Sequence, residues 1–168
     1  MGSARKHVRW VPLLVVAIIA LGGGAAIGWA LGNGERGAPA PVVREALAQT
    51  TKPRGAAGRT LALTRITIQP GTKLALHHHP GTQIAYVDSG VLTYTVERGT
   101  ARIKRGPADD HPTLVRKLDA GETAAIRRGQ WIVEQPSDHH HAVNRGKRPI
   151  VLYLSTLFPT GAPPSIPG

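Results

Sequence analysis

Gly71-Thr-Lys-Leu-Ala-Leu-His77-His78-His79-Pro80-Gly81-Thr-Gln83-Ile-Ala-Tyr-Val-Asp-Ser-Gly90 is the stretch on which the fold turns. It holds two short runs, Lys73–His79 and Thr82–Asp88, parted by Pro80-Gly81 and closed by Ser89-Gly90. Proline and glycine at those points punctuate strands. On a strand, side chains at i and i+2 share a face. His77 and His79 therefore project to one side and His78 to the other. Two imidazoles at that spacing are a chelating pair, and Gln83, one hairpin step on, can turn its amide oxygen to the same point.

The same rhythm continues outward. Thr60–Ile68 precedes the stretch; Val91–Arg98, Thr100–Lys104, Leu114–Leu118, Glu122–Ile126, Gln130–Glu134, His139–Asn144 and Pro149–Leu157 follow it, each bounded by turn residues. No helical pattern of ten to fifteen residues intervenes. Strands at this even spacing predict an all-β sandwich or closed barrel. Glu45–Thr50 is at most a short helical turn, and the tail after Phe158 (PTGAPPSIPG) has too much Pro and Gly for regular structure.

A second histidine triplet, His139–His141, can supply a third imidazole from a neighbouring strand. Three neutral nitrogens and one oxygen on a β scaffold suit a divalent transition metal with positions left for a substrate. Mn, Fe, Ni, Cu and Zn all satisfy such a donor set. Duller readings stand for the other residues. Trp131 and Tyr86 read as core packing or, alternatively, cavity lining; Glu134 as a solvated or salt-bridged strand residue or, alternatively, a buried acid–base group; and Asp109, Asp110 and His111 as an exposed polar turn or, alternatively, a cation-binding loop. Asn144 reads as a strand end, and Gly71, Gly90 and Gly129 as turn glycines.

The spacing Gly71, five residues, His77, one, His79, three, Gln83, six, Gly90 resembles the first motif of the cupin superfamily. That family usually has Glu where this chain has Gln83. Gly129 to Asn144 resembles the second motif, one residue long before Pro136 and one short after it. Counting from Gly129 or from Asn144 makes His140 the ligand, and counting from Pro136 makes it His141; two of the three anchors favour His140. The resemblance implies a double-stranded β-helix, or jelly-roll barrel, with a metal held inside by His77, His79, His140 and Gln83. Gln83 is either the fourth ligand or a group just outside a three-His site. A neutral Gln in place of Glu leaves the metal its full charge, which weakens affinity and strengthens Lewis acidity. Asp138, where the family often has Gly, suggests a changed turn.

The N-terminus is of another kind. Residues 1–9 form a basic tip with Arg5, Lys6 and Arg9, and Trp10–Leu31 runs 22 residues without a charge. A helix of that length spans roughly 33 Å, enough for a bilayer core. The preceding positive charge orients the tip to the cytoplasm, and Trp10 and Trp29 sit where indoles favour the interface. One N-terminal transmembrane helix over 10–32 is expected, ahead of a lead-in over 33–58, a barrel over 59–158 and a flexible tail over 159–168. The rival is a cleaved signal peptide, whose nearest A-x-A site is Ala38-Pro39-Ala40. Either way the barrel lies outside the cytoplasm. Gly24, Gly28 and Gly32 share a helical face that suits close helix pairing, although glycine is common in membrane helices anyway.

Composition bounds the rest. The chain has 168 residues, room for one domain, and no Cys, which excludes a disulfide framework and a thiol nucleophile. Its net charge of +11 raises nucleic acid as a partner, but seven scattered aromatics give no stacking platform. Residues 1–44 hold +4 of that charge, and the remaining +7 is spread without runs. The expected partners are a small-molecule ligand and the membrane, not nucleic acid, with a homodimer plausible for a small cupin. Two functions fit: an oxygenase-like or isomerase-like metalloenzyme, or a non-catalytic ligand-binding or sensory module.

Overall fold

A computed structural model describes residues 40–107 and 111–168. Among these residues there are twelve strands: β1 Val42–Thr50, β2 Arg59–Ile68, β3 Lys73–His78, β4 Thr82–Ser89, β5 Val91–Arg98, β6 Thr100–Arg105, β7 Thr113–Asp119, β8 Thr123–Arg127, β9 Gln130–Glu134, β10 His139–Val143, β11 Ile150–Pro159 and β12 Ile166–Pro167. The ten strands expected from the sequence are all there, each end within two residues. The turn glycines Gly71, Gly90 and Gly129 all have positive φ, 75°, 82° and 77°. At Gly90 a Cβ would also lie 2.9 Å from the Ile150 side chain, so only glycine serves there.

The strands form two antiparallel sheets, β1-β2-β11-β4-β9-β6-β7 and β12-β3-β10-β5-β8. Eight of them pair in nested order: β2 with β11, β3 with β10, β4 with β9, β5 with β8. A long hairpin rolled up so that its arms alternate between two sheets is a jelly roll. The β6–β7 hairpin extends the seven-stranded sheet beyond β9. Inward-facing residues of both sheets, among them Ile66, Val87, Leu92, Val96, Ile126 and Leu152, form one continuous core. Alternation along each strand decides which residues enter it: Leu92, Tyr94 and Val96 of β5 are buried, and Thr93 and Thr95 between them are not.

Two expectations fail. Glu45–Thr50 is strand, not a helical turn, and part of the expected lead-in is therefore sheet. The open edge of β2 supplies hydrogen-bond partners for β1 from Val42 to Thr50, through one bulge between Ala46 and Ala48. Pairing to that edge overrides the helical preference of Ala, Glu, Leu and Gln. The Pro- and Gly-rich tail is also not irregular throughout. β12 lies on the edge of β3, Ile166 opposite His78, and the Gly168 amide donates to the Leu76 carbonyl at 3.1 Å. Edge pairing uses backbone groups, so it needs no β-prone side chains, and an edge tolerates Pro167.

The expected basic tip and apolar anchor, with Gly24, Gly28 and Gly32, lie outside the described residues, as do Asp109 and Asp110. Among the described residues no helix is long and apolar enough to cross a membrane.

Candidate metal centre

β3 and β10 place His77 directly opposite His140. His79 follows one residue past the end of β3, where the chain turns at Pro80-Gly81. The three rings converge inside the barrel, with centroids 4.4 Å apart for His77–His140, 5.0 Å for His77–His79 and 5.2 Å for His79–His140. One ring nitrogen from each lies within 4.8 Å of the others. His79 and His140 are buried, and His77 is half-buried. The register thus brings His140, not His141, to the centre. His141 points outward and meets Glu97 at 3.0 Å.

Each of these rings is held by its Nδ1. His77 Nδ1 donates to the Ala75 carbonyl at 2.7 Å, His79 Nδ1 to the Pro164 carbonyl at 2.9 Å and His140 Nδ1 to the Asp138 carbonyl at 3.2 Å. A carbonyl oxygen only accepts, so Nδ1 carries a proton in all three, and in the neutral ring Nε2 keeps its lone pair. Backbone carbonyls that fix tautomer and ring orientation in this way are what metal-binding histidines need. Burial reinforces neutrality. It holds the His77 pKa down to about 4, against the opposing pull of the Ala75 carbonyl, and the neighbouring His140 and His79 rings add to the lowering. Burial lowers His79 as well, against Glu134 and the Pro164 carbonyl. The donor set fits a divalent transition metal.

Gln83 projects inward from β4, and its Nε2 donates to His79 Nε2 at 3.0 Å and to Glu134 Oε2. Glu134 is not solvated; the sequence left open a buried group at this position, and burial is what is found. It is buried at the centre, with Oε2 3.5 Å from His79 Nε2 and Oε1 3.2 Å from His140 Nε2. The signal was parity: Gln130, Ile132 and Glu134 share one face of β9, and Ile132 is core. Tyr94 stacks on His140, centroids 4.9 Å apart, and burial and the facing Glu134 carboxylate push its hydroxyl pKa up, so it stays protonated. Phe158 stacks on His79 at 5.8 Å. Nothing in the spacing of the motifs pointed to Tyr94, Phe158 or the Pro164 carbonyl.

Other residues resolve as well. Asp138 closes the turn before β10. Its Oδ2 accepts from the Gln135 amide at 2.9 Å, and its carbonyl holds His140. Asn144 does follow the end of β10, and it also knits the turn beyond, donating to the Ile68 and Arg148 carbonyls at 2.9 Å. Trp131 lies under Lys104, with Nε1 donating to the Gly106 carbonyl. Tyr86 is exposed at 40% and packs in no core. His78 and His139 pair on the outer side of their sheet, centroids 4.5 Å apart. The cavity beside the centre is about 50 Å³, and Leu74, Leu92, Ile132 and Arg44 are among the residues lining it.

No family model matches the chain, and no curated protein matches it. Solved structures do. A cupin 2 domain-containing protein from Halorhodospira halophila is 12% identical with a TM-score of 0.49, covering 79% of this chain and 76% of its own. An oxalate oxidase in complex with the substrate analogue glycolate is 20% identical with a TM-score of 0.48, covering 79% and 58%. The Cupin_2 domain of an XRE family transcriptional regulator from Enterobacter cloacae is 14% identical with a TM-score of 0.45, covering 71% and 97%. These overlaps are partial, and the assignment rests on the nested strand order and on where the motif residues lie in it. The fold is a jelly roll, and the stretches that resemble the two cupin motifs take neighbouring places in it. In cupin terms the first motif spans β3, the turn and β4, and the second spans β9 and β10, so adjacent strands of both sheets deliver the two motifs to one end of the barrel.

Proposed function

We propose that this chain is a membrane-anchored, extracytoplasmic cupin that binds a divalent transition metal through His77, His79 and His140 and takes a small-molecule ligand beside it. The single observation that carries the metal reading is the set of three Nδ1–H···O=C bonds, which turns three Nε2 atoms toward one point inside the barrel. The fourth protein group comes from the facing pair Gln83 and Glu134. When bound, such a metal supplies Lewis acidity to a ligand oxygen or activates O₂, the chemistry of an oxygenase or isomerase. The chain's own residues do the rest. Leu92 and Ile132 exclude water, and Tyr94 presents a hydroxyl that stays protonated.

The ligand is small, because the free space is only about 50 Å³. Arg44, which also lines that space, favours an anionic group on it. The tightness of the space equally suits a second reading, a non-catalytic ligand-binding or sensory module. Elemental analysis of the purified full chain is expected to find close to one transition metal per chain, followed by a screen of small carboxylates and other anions with the loaded protein. Turnover selects the enzyme, saturable binding without turnover selects the module, and a metal-free chain indifferent to chelators contradicts both.

The uncharged run over 10–32 and the basic tip before it support the anchor and the outside location. Fractionation tests them: the intact chain belongs in the membrane fraction, and a soluble product starting beyond residue 32 contradicts the anchor. A homodimer belongs to the same reading. Leu63, Ser155 and Ile84 lie in one row across the outer face of the seven-stranded sheet, with Leu63 and Ile84 over two-fifths exposed or close to it. Light scattering tests that pairing.

A further inference from the structure

We infer that Glu134, not Gln83, is the fourth protein ligand of the metal, so that the carboxylate absent from β4 is supplied by the residue directly opposite on β9. The inference rests on the three-histidine reading above and concerns only what completes it. Gln83 and Glu134 are register partners in the β4–β9 pair. Either position therefore delivers a side chain to the same point in the barrel. A Glu at 83 and a Glu at 134 are two ways of bringing one carboxylate there.

The orientation of the amide decides between them. Gln83 turns Nε2 toward the centre, where it donates to Glu134 and to His79. An amide N–H has no lone pair for a metal. Reversing the amide would set its oxygen against a carboxylate oxygen, with no proton between them. Gln83 is thus a positioning residue: it holds the carboxylate and leaves the ligand role to it.

The surroundings of Glu134 point the same way. His79 and His140 have their protons on Nδ1, engaged by the Pro164 and Asp138 carbonyls. In the neutral rings their Nε2 atoms are acceptors, and so are the Glu134 oxygens 3.5 and 3.2 Å away. Gln83 Nε2 donates to both atoms of the His79 pair, but no donor among the described residues stands between His140 Nε2 and Glu134 Oε1, and acceptor facing acceptor in a buried site is unfavourable unless a cation lies between them. A divalent ion bonded at about 2.0–2.2 Å to adjacent ligands spaces those ligands about 3–3.5 Å apart. The distances around Glu134 are those of ligands sharing an ion. One consequence is electrostatic. A carboxylate ligand lowers the net charge of the bound metal by one and raises its affinity, reversing the expectation drawn from Gln83 alone.

The test is a Co²⁺ titration of the full chain followed by its visible absorption bands, which report the ligand field. Wild type is expected to bind one Co²⁺ with saturable bands. Glu134→Gln, close to isosteric, is expected to lower the affinity at least about tenfold and to change the bands. A variant with wild-type affinity and bands overturns the assignment of Glu134 and leaves the three histidines standing. Wild type that binds no Co²⁺ sinks the three-histidine reading itself. Should Glu134→Gln lack a cooperative melt, crystals of the Zn²⁺-loaded wild type decide: a Glu134 oxygen at about 2.0–2.2 Å from the ion is the expected result. A Gln83 oxygen in that place, with Glu134 outside bonding distance, overturns it.

Discussion

Six histidines stand in two triplets, and a single sheet divides them into two populations. On its inner side His77, His79 and His140 each give Nδ1–H to a backbone carbonyl and turn Nε2 into the barrel. On its outer side His78 and His139 face each other with both Nδ1 atoms buried and without a protein partner, and His141 pairs with Glu97 in the open. Residue type is the same throughout. What differs is strand parity, and with it whether an imidazole ties Nδ1 to a backbone carbonyl and turns Nε2 into the barrel. The inner three are pre-organised for a cation, and the outer three are not.

The sharpest way to break that comparison is to delete ligands from both populations. His77→Ala and His140→Ala are each expected to cut metal affinity by more than about 100-fold, beyond what loss of an outer-sphere partner costs. His141→Ala is expected to leave it within about threefold, since its partner is an exposed carboxylate. Isothermal titration with Zn²⁺ measures all three. Equal losses at His140 and His141 would contradict the parity argument.

Next in size is the tail. A chain ending at Ala162 lacks β12 and the Pro164 carbonyl that orients His79. Its metal affinity is expected to fall about tenfold while the barrel still melts cooperatively. An unchanged affinity would mean that Pro164 does not hold the ring.

A smaller effect is expected from pH. The folded His77 pKa, about 4, lies below the ordinary 6.5, so the unfolded chain takes up a proton that the folded one refuses. The metal-free chain should therefore hold this contribution above about pH 6.5 and lose it as pH falls toward 4. Denaturant titrations across that window check it, and His77→Leu should flatten the slope. A wild-type slope of the opposite sign contradicts a neutral, buried ring. The smallest effect belongs to the outer pair. His78→Leu should not lower the melting temperature of the metal-free chain, because it removes a buried nitrogen that has no protein partner.

Much of this was legible in the sequence for a physical reason. Turn residues and period-2 alternation are local, and they located ten strands and the inward faces of His77 and His79. The spacing from Gly129 and Asn144 selected His140, and the β3–β10 register agrees. What stayed hidden depends on which backbones meet. β1 reads as a helix former by composition and becomes strand because β2 has an open edge. The tail reads as irregular, yet β3 pairs with it. Glu134 was readable by parity with Ile132, but its charge argued for solvent until β4 brought Gln83 opposite. Tyr94 and Phe158 belong to strands that no motif marks.

The most direct test of the central claim is ¹⁵N NMR of the histidine rings in the full chain at neutral pH, before and after Zn²⁺. His77, His79 and His140 are expected to carry a proton on Nδ1, and their Nε2 resonances, and not those of His78, His139 or His141, are expected to shift on adding the metal. The proton on Nε2 in the inner three, or Zn²⁺-induced shifts spread equally over all six, would contradict it.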